Sequence, residues 1–178
     1  MTPKEHIDTL LAENNIEVIW HNAGPHWGGY MCETLAPVDG FTKLCWKKQM
    51  EDIFGMEFSI EDTMGSRKLV LPRTEGQIAY WTALHEIGHW MRRHTFEDVQ
   101  NRTVEIECEA WLWARMHSMI HPEPVRDFIA FCIQNYASQF PVREVELFSN
   151  FCRAMKFSSA KEIEDRYKGF MERMTVNG

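Results

Sequence analysis

Residues 84–90, Leu-His-Glu-Ile-Gly-His-Trp, constrain this chain more than any other segment. Each residue of an α-helix turns by about 100°, so His85 and His89 lie one turn apart on the same face. Two neutral imidazoles at this separation can bind one Zn²⁺, and Glu86 beside them can take a proton from a water bound to the ion. The motif therefore predicts a metal-binding helix; the simpler alternative is two histidines on an ordinary amphipathic helix.

The residues around the motif predict a helix with two different faces. Tyr80, Leu84, Ile87 and Met91 follow helical spacing and form an apolar stripe. The opposite face carries the two histidines together with Gly88, and a glycine inside a helix costs roughly 1 kcal/mol relative to alanine. We therefore expect another part of the chain to approach this face closely at Gly88.

A catalytic zinc ion usually has a third protein ligand, and three side chains are candidates. His94 would lie about 140° around the helix from His89, and the intervening residues contain no Gly or Pro to end the helix sooner. Glu107 shares a stripe with small residues of the next helix, which would let its carboxylate approach Gly88. Glu109 heads an apolar row of its own, so the spacing favours Glu107 without excluding Glu109. Acidic residues also favour helix N-termini, which is the alternative explanation for this cluster.

The hydrophobic pattern changes near Pro72. Before it, we expect strands at 17–22, 41–46 and 66–72, short helices at 3–14 and 47–54, and a glycine-rich loop at 23–40. After it, we expect helices at 74–94, 103–120, 122–138, 141–155 and 158–173, with a capping box of Thr74 and Gln77 and a cap at Ser158 or Ser159. The predicted fold is a helix-rich α+β domain with a small N-terminal sheet (1–121) and a C-terminal helical extension packed on it (122–178).

The segments LVLP, IAYWTALHEIGHWMRRH and VEIECEAWLWA together resemble the gluzincin-type zinc metallopeptidases, and most of all the ImmA/IrrE-like metallopeptidase family. The resemblance covers about residues 66–116. It implies a zincin-like domain in which His85, His89 and Glu107 bind zinc and Glu86 is the catalytic residue.

Together the motif and the resemblance predict a zinc-dependent peptidase. A metal-activated water would attack a peptide bond of a protein or peptide substrate, with Glu86 as general base and then general acid. His26 or Tyr30 of the glycine-rich loop could stabilise the developing oxyanion. The alternative function is a non-catalytic regulatory or interaction protein on a zincin scaffold.

A second pair of histidines, His117 and His121, is also spaced four residues apart. This spacing leaves open a second metal site. The pair precedes Pro122 at a helix end, where the helix dipole favours cations, and this is the alternative explanation.

Composition limits the partners and the location. The formal net charge is −7 and no dense run of Lys and Arg occurs, so we expect no direct nucleic-acid binding. We see no signal-peptide pattern and no apolar stretch approaching the roughly 20 residues of a membrane-spanning helix, so we expect no membrane association. The five cysteines are scattered and odd in number, which favours free thiols in a reducing compartment. The expected location is therefore cytoplasmic.

Overall fold

A computed structural model describes residues 1–73 and 75–176, and these residues form eight α-helices and a three-stranded sheet. In chain order the elements are α1 (Pro3–Glu13), β1 (Val18–His21), β2 (Gly29–Tyr30), α2 (Gly40–Phe54), β3 (Leu69–Pro72), α3 (Gln77–Arg92), α4 (Phe96–Asn101), α5 (Thr103–His117), a short 3-10 helix (Glu123–Val125), α6 (Arg126–Ala137), α7 (Val145–Ala154) and α8 (Ala160–Val176). The prediction of a helix-rich α+β fold is confirmed. The predicted capping box involves Thr74, which lies outside the described residues.

The central strand of the sheet is β3, with β1 parallel to it on one side and β2 antiparallel on the other. All four of its residues are buried because both faces of the sheet are covered. Leu69 and Leu71 belong to the main hydrophobic core, whereas Val70 packs with Met50 and Phe54 of α2 in a second cluster. A strand covered on both faces has a continuous apolar sequence, which is why this strand could be predicted.

The strand predicted at 41–46 is wrong, because these residues belong to α2. The carboxylate of Asp39 caps this helix by accepting hydrogen bonds from the amide and hydroxyl of Thr42, at 2.9 and 2.6 Å. The helix ends at Gly55, which has the left-handed conformation typical of a helix terminus (φ 62°). Asp39 and Gly55 therefore set the two ends of a helix, although the sequence of its first turns is typical of a strand.

The main core is centred on the packing of α3 against α5. Helices α1, α6, α7 and α8 contribute to the same core, through Ile7, Ile129, Phe151 and Ile163. The C-terminal helices therefore share their hydrophobic core with the sheet and the motif helix, and the division at 121/122 stays a prediction. Among the helices of residues 1–73 and 75–176, none combines the length and the apolar character needed to span a membrane.

The last helix, α8, is held to α6 by a buried arginine. Ser159 caps α8 by accepting a hydrogen bond from the amide of Glu162 at 3.2 Å. The carboxylate of Glu162 accepts hydrogen bonds from the amide of Ser158 (2.7 Å), from Arg126 of α6 (2.6 Å) and from Arg166 (2.8 Å). These contacts, the Ser158 amide first, lower the pKa of Glu162 to about 2. One carboxylate thus links the start of α8 to the rest of the core.

Candidate metal centre

Two histidines of α3 and one glutamate of α5 meet in the interior of the protein. The Nε2 atoms of His85 and His89 are 3.1 Å apart. The Glu107 oxygens lie 3.1 Å from Nε2 of His85 and 3.5 Å from Nε2 of His89. All three side chains are buried, and their ligand atoms lie within 4.8 Å of one another. Within residues 1–73 and 75–176, this is the one group of three or more potential metal ligands arranged in this way.

The two helices can come this close because Gly88 has no side chain. A β-carbon built at Gly88 would lie 2.6 Å from the carbonyl oxygen of Ala110 and 3.1 Å from its Cα. The first distance is shorter than any real contact of this kind, so α3 and α5 touch through their backbones here. The close approach expected at Gly88 is confirmed.

Of the three candidate third ligands, Glu107 joins the two histidines, whereas the other two pair with each other. Nε2 of His94 lies 3.0 Å from one carboxylate oxygen of Glu109, and Arg102 binds the other oxygen at 2.8 Å. The remaining ring nitrogen of His94, Nδ1, lies 2.8 Å from Nδ1 of His89. His94 and Glu109 therefore contact the metal group through His89 and not as members of it.

The motif helix ends earlier than the sequence predicts. It stops at Arg92, and Arg93 adopts the left-handed conformation (φ 56°, ψ 41°), which is uncommon for residues other than glycine. The amide of Arg93 donates to the carbonyl groups of His89 and Trp90, and the chain then turns back so that the amide of His94 lies 3.3 Å from the His89 carbonyl. The helix ends here without a Gly or Pro, because Arg93 takes the left-handed conformation that terminates it.

Electrostatics within the group favour an ionised Glu107. Burial opposes its ionisation, but the neighbouring imidazoles of His89 and His85 outweigh burial and hold the pKa of Glu107 below its ordinary value. Imidazole nitrogens and a carboxylate are the ligand types that zinc prefers. The convergence of two imidazole lone pairs and a carboxylate is an arrangement that a cation stabilises. The donor chemistry therefore fits a divalent metal ion held by these three side chains.

Glu86 lines a cavity of about 170 Å³ together with the three potential ligands. Burial is the main cause that raises the pKa of Glu86 to about 7; the neighbouring His89 opposes this rise and the charge of Glu107 adds to it. Gly28 packs directly against it, since a β-carbon there would lie 2.8 Å from Cγ of Glu86 and 2.7 Å from Cγ2 of Thr82. A carboxyl group with this pKa can both accept and return a proton near neutral pH.

The glycine-rich loop, α4, α5 and α6 also contribute residues to the cavity wall. Tyr30 of β2 lines the cavity and stacks on the ring of His89, with ring centroids 6.4 Å apart. Burial raises the pKa of Tyr30 to about 12. His26, the other residue considered for oxyanion stabilisation, lies outside the cavity lining and packs against Phe128 of α6. Of these two candidates, the structure brings Tyr30 to the site.

Tyr136 of α6 also lines the cavity and was not predicted from the sequence. The charge of Glu107 and then burial raise the pKa of Tyr136, with a further contribution from Glu86. The phenol therefore keeps its proton at neutral pH and remains a potential hydrogen-bond donor at the cavity wall. Its sequence context is the apolar row of α6, which gives no sign that it differs from an ordinary core tyrosine.

The histidines at the end of α5 each have local partners. His117 stacks on Trp113 (3.9 Å between ring centroids) and its Nδ1 lies 2.8 Å from the Trp113 carbonyl oxygen. Nδ1 of His121 accepts a hydrogen bond from the amide of Glu123 at 3.3 Å. Because α5 ends at His117 and Ser118 is extended, the two histidines do not share a helical face. The structure does not bring them together as a second metal site.

Comparison of the chain with known protein families, with curated proteins and with solved structures finds no match. The resemblance to the ImmA/IrrE-like metallopeptidases therefore rests on the motif residues, and membership stays a prediction. The structure itself provides a buried His-His-Glu group able to hold a metal ion, with a glutamate and a cavity beside it.

Proposed function

We propose that this chain is a zinc-dependent peptidase. The observation that carries the proposal is the convergence of His85, His89 and Glu107 on one point, with Glu86 beside them in a shared cavity. Two histidines and one glutamate are a ligand set of catalytic zinc sites, which keep a further position open. A zinc ion bound there would supply Lewis acidity, polarising a carbonyl group and making a water molecule more acidic.

Glu86 is the residue proposed to move the proton. Its carboxylate takes a proton from the attacking water and passes it to the leaving amine when the peptide C–N bond breaks. The pKa of about 7 suits a group that alternates between base and acid at neutral pH. Close packing by Gly28 limits the positions that its side chain can adopt.

The position of β2 favours a peptide as the substrate. This strand pairs with β3 on one edge, and within the described residues no other strand pairs with its second edge. Gly28, Gly29 and Tyr30 line the same cavity as Glu86. An extended peptide that added to this edge would therefore run beside the metal group. Tyr30 and Tyr136 line this cavity, and their phenols are the donors that we propose for an oxyanion.

Metal analysis and cleavage of a peptide library test the proposal together. We expect the wild type to bind zinc and cleave peptides, Glu86→Gln to keep its zinc and lose about 10²-fold or more in kcat, and His85→Ala to lose both. Full activity in Glu86→Gln would exclude the role assigned to this residue. A wild type that holds no metal after zinc supplementation would reject the metal centre. Zinc binding without cleavage of any peptide would favour a non-catalytic regulatory or interaction protein.

A further inference from the structure

A hydrogen-bonded network leads away from the metal group on the side of His89. It consists of His89, His94, Glu109 and Arg102, and we call it the His94 network. Nδ1 of His89 lies 2.8 Å from Nδ1 of His94, Nε2 of His94 lies 3.0 Å from Glu109, and Glu109 lies 2.8 Å from Arg102. The network joins the end of α3 to the first turns of α5.

Glu109, the hydrogen-bond acceptor of the His94 network, determines which ring nitrogens of His94 and His89 carry a proton. Glu109, paired with the guanidinium of Arg102, is a carboxylate that can only accept, so Nε2 of His94 carries a proton and donates it. In a neutral His94 the other nitrogen, Nδ1, is then an acceptor. The proton in the 2.8 Å contact must therefore sit on Nδ1 of His89. A neutral His89 in this tautomer has a bare Nε2, which is the atom on the side of the metal group.

The backbone around the network keeps its members in place. Arg93 adopts a left-handed conformation that costs about 1 kcal/mol or more, and this conformation turns His94 back onto His89. Arg102 also binds Glu144 at the start of α7, at 3.0 Å. The network is thus anchored at both ends by elements of the main core.

The other histidine of the metal group is held in a different way. The ring of His85 stacks on Trp111, with centroids 4.2 Å apart. Its buried Nδ1 has no hydrogen-bond partner in the part of the chain that the structure describes. Packing therefore orients His85, whereas hydrogen bonds orient His89.

We infer that His94 and Glu109 are positioning residues that hold His89 in the tautomer able to bind a metal ion. The inference rests on the proposed metal centre. Partners of this kind around a ligating histidine typically change metal affinity by about 10–100-fold. The tautomer can be measured in the metal-free protein, independently of zinc binding and of hydrolysis.

The variant Glu109→Gln tests the inference, because an amide can donate where a carboxylate only accepts. Arg102 would bind the amide oxygen and leave the NH₂ group facing Nε2 of His94. His94 would then carry its proton on Nδ1, and the proton of His89 would move to Nε2. We expect zinc affinity to fall by about 10–100-fold. In long-range ¹H–¹⁵N spectra of the metal-free protein, we expect the proton of His89 on Nδ1 in the wild type and on Nε2 in the variant.

Two further variants serve as controls. Glu105→Gln alters a buried carboxylate of the same helix that accepts hydrogen bonds from the amides of Arg143 (2.6 Å) and Glu144 (3.1 Å), outside the network. It should keep the wild-type tautomer and zinc affinity. Glu109→Asp retains an acceptor and should recover the wild-type tautomer with part of the affinity.

The outcomes separate this inference from the proposed function. A wild-type His89 with its proton on Nε2, or a Glu109→Gln variant with unchanged tautomer and affinity, would overturn the inference. A wild type that binds no zinc would reject the proposed metal centre, while the spectrum would still decide whether the network sets the tautomer. If Glu109→Gln did not fold, the wild-type spectrum alone would give the answer.

Discussion

Gly88 and Ala110 bring the two helices of the metal group into backbone contact. A β-carbon at Gly88 would lie 2.6 Å from the carbonyl oxygen of Ala110. At this crossing α3 presents His85 and His89, and α5 presents Glu107 one helical turn before Ala110. The geometry of the metal group thus depends on a residue that has no side chain.

The variant Gly88→Ala should lose stability and zinc affinity together. Alanine is the better helix former by about 1 kcal/mol, but its methyl group would force α3 and α5 apart. Overpacking of this kind typically costs about 1–3 kcal/mol, and it would move Glu107 away from the histidines. Denaturant unfolding and zinc titration measure the two effects. Unchanged stability would contradict the close contact.

Gly169→Ala is the matched control for this prediction. Gly169 also lies inside a helix, α8, but a β-carbon there would be at an ordinary 3.6 Å from Arg173. The substitution should be neutral or stabilise the protein by up to about 1 kcal/mol, through helix propensity, and leave zinc affinity unchanged. Similar behaviour of the two variants would show that the α3–α5 contact is not what restricts Gly88.

The variant Gly28→Ala should separate catalysis from metal binding. A methyl group there would meet Thr82 Cγ2 at 2.7 Å and Glu86 Oε1 at 2.9 Å, so the carboxylate must move. A displacement of about 1 Å can lower a catalytic rate by roughly 10²-fold, and we expect a loss of that order in peptide hydrolysis. Zinc content should stay at the wild-type level, because the three ligands are not among the nearest contacts.

Gly40→Ala is the control for Gly28→Ala, since a β-carbon at Gly40 would meet nothing within 4 Å apart from its chain neighbours and its own helix backbone. Its hydrolysis rate should match that of the wild type. A Gly28→Ala protein that lost zinc and activity in proportion would indicate a disrupted metal group and not a displaced Glu86.

The parts of the site that could be predicted from sequence are those fixed by helical periodicity. His85 and His89 lie on one face of α3, with Glu86 beside them, because the helical repeat places residues four positions apart on the same face. The contact at Gly88 was predictable because a close helix crossing requires small residues there, and the small residues that share a stripe with Glu107 favoured this glutamate without excluding Glu109. The choice between Glu107 and Glu109 needed the actual crossing of α3 and α5, which periodicity alone does not define.

The parts that could not be predicted depend on tertiary contacts or on unusual backbone conformations. His94 reaches His89 because Arg93 takes a left-handed conformation, which local sequence does not require of an arginine. Tyr136 reaches the cavity because α6 packs over it, although the residue reads as part of an apolar row. Residues 41–46 form a helix and not the predicted strand because Asp39 caps them, although their sequence is β-like.

The variant Tyr136→Phe should lower the catalytic rate without changing zinc binding. It keeps the ring, and so the packing of α6, but removes the hydroxyl group of a residue that lines the cavity. Loss of one donor to an oxyanion typically lowers kcat by about 10²–10³-fold, and we expect an effect in kcat rather than in KM. Tyr167→Phe is the control, because the Tyr167 ring stacks on Phe131 (5.9 Å) away from the cavity lining. Equal rates for Tyr136→Phe and the wild type would show that this phenol has no part in hydrolysis.

The ionised carboxylate of Glu162 should make the attachment of α8 sensitive to acid. Its pKa is lowered from 4.5 to about 2 in the folded protein, by the amide of Ser158 and then by Arg166. A carboxyl group with a depressed pKa stabilises the folded state above its unfolded pKa, and this contribution is lost as the pH falls through the folded pKa. We expect about 1 kcal/mol of unfolding free energy from this group, allowing for solvent screening, to disappear between about pH 4.5 and 2.

Unfolding curves of Glu162→Gln across this pH range test the assignment. The variant should be less stable than the wild type at pH 7, because an amide binds the buried Arg126 more weakly than a carboxylate does. The difference should shrink as the pH approaches 2, because protonation removes the same charge from the wild type. Glu164→Gln, which removes a surface pair with Lys168, should follow the wild-type curve throughout. A constant gap between Glu162→Gln and the wild type would mean that Glu162 acts through its shape and not through its charge.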